Sequence, residues 1–408
     1  MGTRWGKLLV ALVCVAWISL GDLGAALADA DGLWRTVATL ACLALSRFVL
    51  SLGRSHSKVP LDLDEYVARV AEERDTPGDI DAYENMFDVK SGGFSRVKMV
   101  RRSTTKEVYA LKLTNIHKAF DEGQVNQTLN EKEILFDIDH PFIVKLYTTF
   151  RDTSYVYFLL EFVDGGELFD VVKEQGKLDL ASARFFAANI IAAVEYIHDR
   201  DIAFRDIKSE NLLVDKQGYL KLIDFGMARY VDKDRCHTFA GTLDYASPEI
   251  LSNVPYTERI DWWALGCLIY EMLTGKTPFR GTHEERYRAM LKHAIPFDDP
   301  KLDPTAKDLI RQLLHPTYSK RLGTSEDGAW RIRCHPFFKD FDWKGLMRRE
   351  LRAPKFEPRS PPALTLVTTK KIATKSLGLS VRKAVENDPP ESPRVYSPKA
   401  IDTFFTGF

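Results

Sequence analysis

RDIKSEN places a carboxylate at Asp206, an ammonium at Lys208 and an amide at Asn211, and DFG adds a second carboxylate at Asp224. Carboxylate and amide oxygens suit a hard cation such as Mg²⁺. An ammonium neutralises phosphate oxygens, and a carboxylate can orient a hydroxyl. Moving a terminal phosphoryl group requires all of these at once: charge neutralised, metal held, and an acceptor aligned with the leaving group. Upstream lies KSGGFSRV, Lys90 to Val97, a loop of the kind that cradles phosphate. Glycine suits such a loop because it has no Cβ to hold backbone N–H groups away from phosphate oxygens. The three slots of a Gly-x-Gly-x-x-Gly pattern read Lys90, Gly92 and Ser95, so the stretch alone reads first as an ordinary glycine-containing β-turn.

The 408 residues suffice for one two-lobed unit, or for about two or three average domains. Lys plus Arg and Asp plus Glu balance at 57 each, so no bulk field favours nucleic acid or an anionic membrane. The cysteines Cys14, Cys42, Cys236, Cys267 and Cys334 are odd in number and scattered, without spacing for zinc or a disulfide framework. The main body reads as reduced and cytosol-facing.

These side chains need elements to hold them. From Ala82 towards Asn115 the residues alternate, and FSRVKMV and EVYALKL read as paired strands around the polar turn RRSTTK. Thr128 to Ile138 has helical spacing, and Lys145 to Val163 reads as another strand pair. After Gly165-Gly166 the chain becomes mainly helical, at 167–174, 180–199, 259–274 and 304–314. A small strand-rich part therefore precedes a larger helical part, joined near EFVDGG. Leu61 to Pro77 reads as a short amphipathic lead-in helix with Leu63, Tyr66, Val67 and Val70 on one face. Beyond Asp342, Pro, Ser and basic residues point to an extended tail held to a surface.

In that setting FRDIKSENLLV and LIDFGMAR resemble the protein kinases, as does the order in which Lys112 of YALKL, Glu131 of NEKEIL and SPE at Ser247–Glu249 occur. TLNEKEIL, PFIVKLYTTF, DWWALGCLIYEM and the terminal FTGF are similar to the AGC group of serine/threonine kinases, in its cyclic-AMP-dependent branch. The resemblance covers residues 60 to 408 in outline. It implies an α+β, bilobal protein kinase fold, with a small antiparallel β-sheet lobe carrying one key helix and a larger, mainly helical lobe. It divides the chain into a hydrophobic segment at 1–58, the lead-in helix at 59–81, a kinase domain at 82–342 and an AGC-type tail at 343–408.

By the same resemblance, Asp206 orients the acceptor hydroxyl, Lys208 contacts the transferring phosphate, and Asn211 and Asp224 bind Mg²⁺. Lys112 grips the α- and β-phosphates of ATP with Glu131 as its helix partner. Lys90, Gly92, Gly93 and the aromatic tip Phe94 become the phosphate loop, and Val97 covers the adenine. Lys90 and Ser95 depart from the family's glycines, which implies ATP binding that is retained but weaker. Backbone groups of Glu161 and Val163 would pair with the adenine edge, Leu160 would close the rear, Ala110 and Leu213 would sandwich the base, and Glu167 would meet the ribose. Glu167, Glu210 and Glu271 match positions that bind arginines before the phosphosite, which implies Arg-Arg-x-Ser/Thr substrates; their other reading is as solvated charges. Phe239 belongs near the pocket for the residue after the acceptor. Thr238 would take an activating phosphate from an upstream kinase, with Arg205 and Arg229 as cationic partners. His237 and Val254 stand where a regulatory subunit docks in close relatives, which leaves control by such a subunit open. Glu249 and Arg321 would form a structural ion pair. Phe405 and Phe408 would seat in a small-lobe groove beside the Glu131 helix.

The first 58 residues stand apart. Apolar runs at Leu8–Leu20 and Thr36–Leu52 are flanked by Arg4, Lys7, Arg54 and Lys58, and ALA at Ala26–Ala28 resembles a signal-peptidase site. Three readings stand: a two-helix membrane hairpin through residues 8–52 with both termini cytoplasmic, a cleaved signal or organelle-targeting leader, or a soluble helical extension or misassigned start. No nucleic-acid partner is expected. The competing functional reading is a nucleotide-binding pseudokinase scaffold at a membrane; the altered glycines raise it, and Lys112, Asp206, Asn211 and Asp224 oppose it.

Overall fold

A computed structural model describes residues 80–91, 95–231, 241–325, 327–354 and 380–381. The segment 1–79, Gly92, Gly93, Phe94, Thr238, Phe239 and the terminal phenylalanines lie outside the described residues, as does the side chain of Lys90.

A 3₁₀ turn at Ile80–Ala82 leads into β1 (Tyr83–Ser91), β2 (Ser95–Arg102) and β3 (Val108–Asn115). Helices α1 (Ile116–Asp121) and α2 (Val125–Asp137) follow, then β4 (Leu146–Arg151) and β5 (Tyr155–Glu161). The five strands form one antiparallel sheet in the order β1-β2-β3-β5-β4. Side chains alternate across a strand, so Val100, Leu111, Leu113, Tyr157 and Leu159 enter a core on one face. Val97 and Lys112, opposite each other in the register, then share the other face with Ala110 and its partner Leu160. Ser380 bridges to Glu84, and Val381 is buried in that core, so one short piece of the tail is held to the sheet.

The sequence reading has one helix in this lobe, and the structure adds α1. Its six residues are too few to show a period, but Asn115 Oδ1 caps it by accepting from Lys118 N at 3.0 Å. In α2 the buried face carries Val125, Thr128, Glu131, Ile134 and Leu135, which puts one carboxylate among apolar side chains.

The larger part contains α3 (Leu168–Gln175), α4 (Leu180–His198), β6 (Ile202–Ala203), β7 (Leu212–Val214), β8 (Leu220–Leu222), β9 (Arg229–Tyr230) and α5 (Pro248–Leu251). It continues with α6 (Asp261–Thr274), α7 (His283–Leu291), α8 (Pro304–Leu313), α9 (Ala329–Arg333) and α10 (Trp343–Met347). β6 pairs with β9 and β7 with β8. Among the described residues, α4 is the one helix long and apolar enough to cross a membrane, yet 72% of its apolar window is buried against neighbouring elements, as a core helix should be. Asp179 caps it by accepting from Ser182 N at 2.8 Å. Helix α6 is buried from Asp261 to Leu273 and stops at Gly275, whose φ of 76° and contact with Gly176 O exclude a side chain. One core cluster runs from Ile134 and Leu135 of α2 and Phe158 of β5 through α4 and α6, and each fully buried aliphatic side chain in it contributes about 1.5–3 kcal/mol. That continuity fixes the edge of the sheet against the loops of the helical part.

Candidate active site

The loop after β6 is pegged by one carboxylate. Asp261, at the start of α6, accepts from Phe204 N and Arg205 N at 2.8 Å each and lies 2.9 Å from His198 Nε2. Phe204 packs edge-to-face on Phe225 at 5.1 Å, which ties this loop to the DFG turn. Arg205, at a φ of 72°, donates through Nε to Met227 O at 2.7 Å and through NH1 to Tyr256 OH at 3.3 Å. Beyond it, Asp206 gathers its neighbours. Its Oδ1 accepts from Thr242 Oγ1 at 2.9 Å, and its Oδ2 accepts from Asn211 Nδ2 at 2.8 Å and lies 2.7 Å from Lys208 Nζ. Lys208 Nζ also donates to Thr242 Oγ1 at 2.9 Å. Gly241, at a φ of 91°, brings Thr242 in, and a Cβ on it would collide with Arg205 O.

The facing group comes from the sheet. Lys112 Nζ lies 2.6 Å from Glu131 Oε1 and 2.9 Å from Asp224 Oδ1. Burial alone would lower the ammonium's pKa, but the Asp224 and Glu131 carboxylates outweigh it and hold the group above its ordinary value. Burial pushes the Glu131 carboxyl up, with Lys112 opposing, whereas the Lys112 charge pulls Asp224 down. Asp224 sits at φ 62°, ψ 75°, a left-handed conformation that turns its carboxylate towards Lys112 and lets it accept from Gly226 N at 3.4 Å. Helix α2 also touches the DFG turn through Gln127 Nε2 and Met227 Sδ at 3.8 Å.

Between the two parts, Glu161 N donates to Lys145 O at 2.8 Å, and Glu161 Oε2 accepts from Lys221 Nζ at 2.7 Å. Gly165 N donates to Val214 O at 2.9 Å, an approach so close that a Cβ would collide there. Val163 is half-buried, and Glu167, just before α3, bridges to Leu213 of β7. Ala110 and Leu213 are half-buried, on β3 and β7 respectively. Lys90 belongs to β1 by its backbone, paired with Val97.

Glu271 differs from an open anionic receptor. It is 7% exposed, and its oxygens accept from Tyr245 OH at 2.6 Å and Ser209 Oγ at 3.1 Å. The Glu249–Arg321 pair is present at 2.6 Å. The structure thus brings Lys112, Glu131 and Asp224 together, and Asp206, Lys208 and Asn211 together. Thr242, Asp261, Tyr245, Ser209 and Lys221 were not singled out by sequence reasoning; the one signal for Asp261 was a carboxylate opening a long apolar run.

Residues 83–338 match the family described as protein kinase domain. The chain is 39% identical to the cAMP-dependent protein kinase, catalytic subunit-like, of Caenorhabditis elegans over 66% of this chain and 68% of that one. It is 37% identical to cAMP-dependent protein kinase type 3 of Saccharomyces cerevisiae over 70% and 72% of the two chains. With serine/threonine-protein kinase gad8 of Schizosaccharomyces pombe the identity is 39%, over 71% of this chain and 51% of the other. The chain belongs to the protein kinase family, as an enzyme of the serine/threonine class. Its similarity runs to cyclic-AMP-dependent and other AGC kinases alike, and its α+β architecture is the bilobal kinase fold.

Proposed function

We propose that this kinase transfers the terminal phosphoryl group of ATP, with Mg²⁺, to serine or threonine in proteins, preferentially where arginines precede the acceptor. The observation that carries the reading is the meeting of Lys112, Glu131 and Asp224 across from the Asp206–Thr242–Lys208 network. Asp206 orients the acceptor hydroxyl and takes its proton, and Thr242 and Asn211 hold that carboxylate in place. Lys208 neutralises charge on the group in transfer, and Lys112 neutralises the phosphates that stay behind. The carboxylate of Asp224 and the amide oxygen of Asn211 are hard oxygen donors. Asn211 spends its nitrogen on Asp206, which leaves that oxygen for a divalent cation, so the pair fits Mg²⁺. Bound there, Mg²⁺ would supply charge neutralisation between phosphates. Ala110, Val97 and Leu213 supply apolar surface for the adenine, and backbone groups of Glu161 and Val163 its polar edge.

Glu167, Glu210 and Glu271 support the arginine preference, because a guanidinium pairs with carboxylates by a two-pronged fork. Thr238 is proposed as the site for an upstream kinase, and residues 8–52 as a membrane attachment with the kinase domain in the cytosol. The test is phosphate transfer from labelled ATP to an Arg-Arg-x-Ser peptide by the full-length chain. Asp206→Ala should lower transfer by about 10²–10⁴-fold. Nucleotide binding without turnover on any peptide would instead favour the pseudokinase scaffold.

A further inference from the structure

Ser209 is fully buried at the centre of the acidic cluster. Its Oγ lies 3.1 Å from Glu271 Oε1, 3.3 Å from Tyr245 OH and 3.4 Å from Glu210 Oε2. Each hydroxyl has one proton to give. Tyr245 gives its proton to Glu271 Oε2 at 2.6 Å, and the shorter of Ser209's two carboxylate contacts is to Glu271 Oε1. Neutral donors of the protein therefore engage both oxygens of Glu271. Burial pushes this carboxyl up, Glu210 and Asp244 add to the rise, and the two hydroxyls oppose it. Ser209 and Tyr245 thus supply part of the stabilisation that an arriving cation would otherwise provide.

Glu210 and Glu271 meet at Ser209 Oγ, beside the catalytic loop. Glu210 follows Asp206 in that loop, and Tyr245 follows Thr242, which bonds to Asp206. Glu167 lies elsewhere, before α3 and beside Leu213. On the arginine-directed reading, an arginine close to the acceptor would meet Glu210 and Glu271, which flank the loop of Asp206, and one further back would meet Glu167.

We propose that Ser209 is a specificity-determining residue: by engaging Glu271 Oε1, it weakens selection for arginine two residues before the acceptor, relative to three residues before. This rests on the arginine-directed reading of the site. A guanidinium gains most from two unengaged carboxylate oxygens, and here it must share or displace the hydrogen bond from Ser209.

The test compares kcat/KM for Arg-Arg-x-Ser, Arg-Ala-x-Ser and Ala-Arg-x-Ser peptides with the full-length wild type and Ser209→Ala. The substitution should raise the Arg-Arg over Arg-Ala ratio by about three- to tenfold and leave the Arg-Arg over Ala-Arg ratio unchanged. The rise should vanish when Glu271→Gln is combined with Ser209→Ala, because no carboxylate remains to be freed. A merely structural role would lower turnover on all three peptides and move neither ratio. If the wild type discriminates arginine but Ser209→Ala leaves the first ratio unchanged or lower, the role of Ser209 is wrong and the arginine reading stands. If the wild type shows no arginine dependence at either position, the substrate reading fails, and this inference with it.

Discussion

Two buried ion pairs have the same N···O separation of 2.6 Å and opposite surroundings. Lys112–Glu131 joins the central strand β3 to helix α2, with Asp224 as a second carboxylate on the same ammonium. Glu249–Arg321 lies in the helical part, where the guanidinium sits over the Trp263 ring at 5.0 Å and the Tyr318 ring at 5.7 Å and donates through Nε to His315 O. The first arrangement carries more negative than positive charge around a compact ammonium. The second is a planar cation closed in by rings and matched to one carboxylate. Distance alone does not separate a reactive pair from a structural one; the excess charge around it does.

Breaking the structural pair should have the largest effect. Glu249→Ala leaves Arg321 buried without its carboxylate and should cost about 3–5 kcal/mol in urea unfolding. Replacing both partners, Glu249→Leu with Arg321→Met, should recover most of that stability and keep transfer activity. Lys112→Met should do the reverse, lowering transfer by about 10²–10³-fold, or roughly 3–4 kcal/mol of barrier, with a smaller change in unfolding. If Lys112→Met unfolds the chain while the folded fraction keeps its activity, the contrast between the pairs is lost.

His140 supplies the smallest effect and the counter-case of a buried base held neutral. Burial first, then the charges of Lys221 and Arg200, push its imidazole down to about 4, with Asp139 opposing. In the unfolded chain it takes a proton near its ordinary value of about 6.5, so its contribution is intact above that pH and is lost as pH falls towards 4. The loss reaches about 3 kcal/mol only below pH 4 and is on the order of 1 kcal/mol at mildly acidic pH. Urea midpoints at neutral and mildly acidic pH should fall less in His140→Gln than in wild type; equal slopes would mean that another group carries the acid sensitivity.

Much of the site was legible because its chemistry is written locally. RDIKSEN concentrates three functional side chains in one loop, and the alternation of FSRVKMV and YALKL gives strands whose register sets Val97 against Lys112. What escaped depends on long separations in sequence. Asp261 serves backbone groups of Phe204 and Arg205 that are 57 and 56 residues away, and Ser209 meets Glu271 across 62. Short helices such as α1 and α9 escaped for another reason: six and five residues cannot display a helical period. Glu271 was legible through the resemblance, as one of three glutamates at arginine-binding positions. Its engagement by two hydroxyls was not, because either hydroxyl alone reads as an ordinary loop or core residue.

Helix α4 also bears on how the chain is made. Its most extensive packing partners, β6, β8, α6, α9 and α10, lie downstream of it, although Tyr196 also meets His140 upstream at 4.9 Å. As a ribosome passes His198, a nineteen-residue apolar rod emerges before most of the surfaces that will cover it. Chains stalled soon after that point should be held by chaperones that grip hydrophobic segments, and chains stalled beyond α6 should be released, so the keel of the helical lobe is also its most exposed stage in biosynthesis.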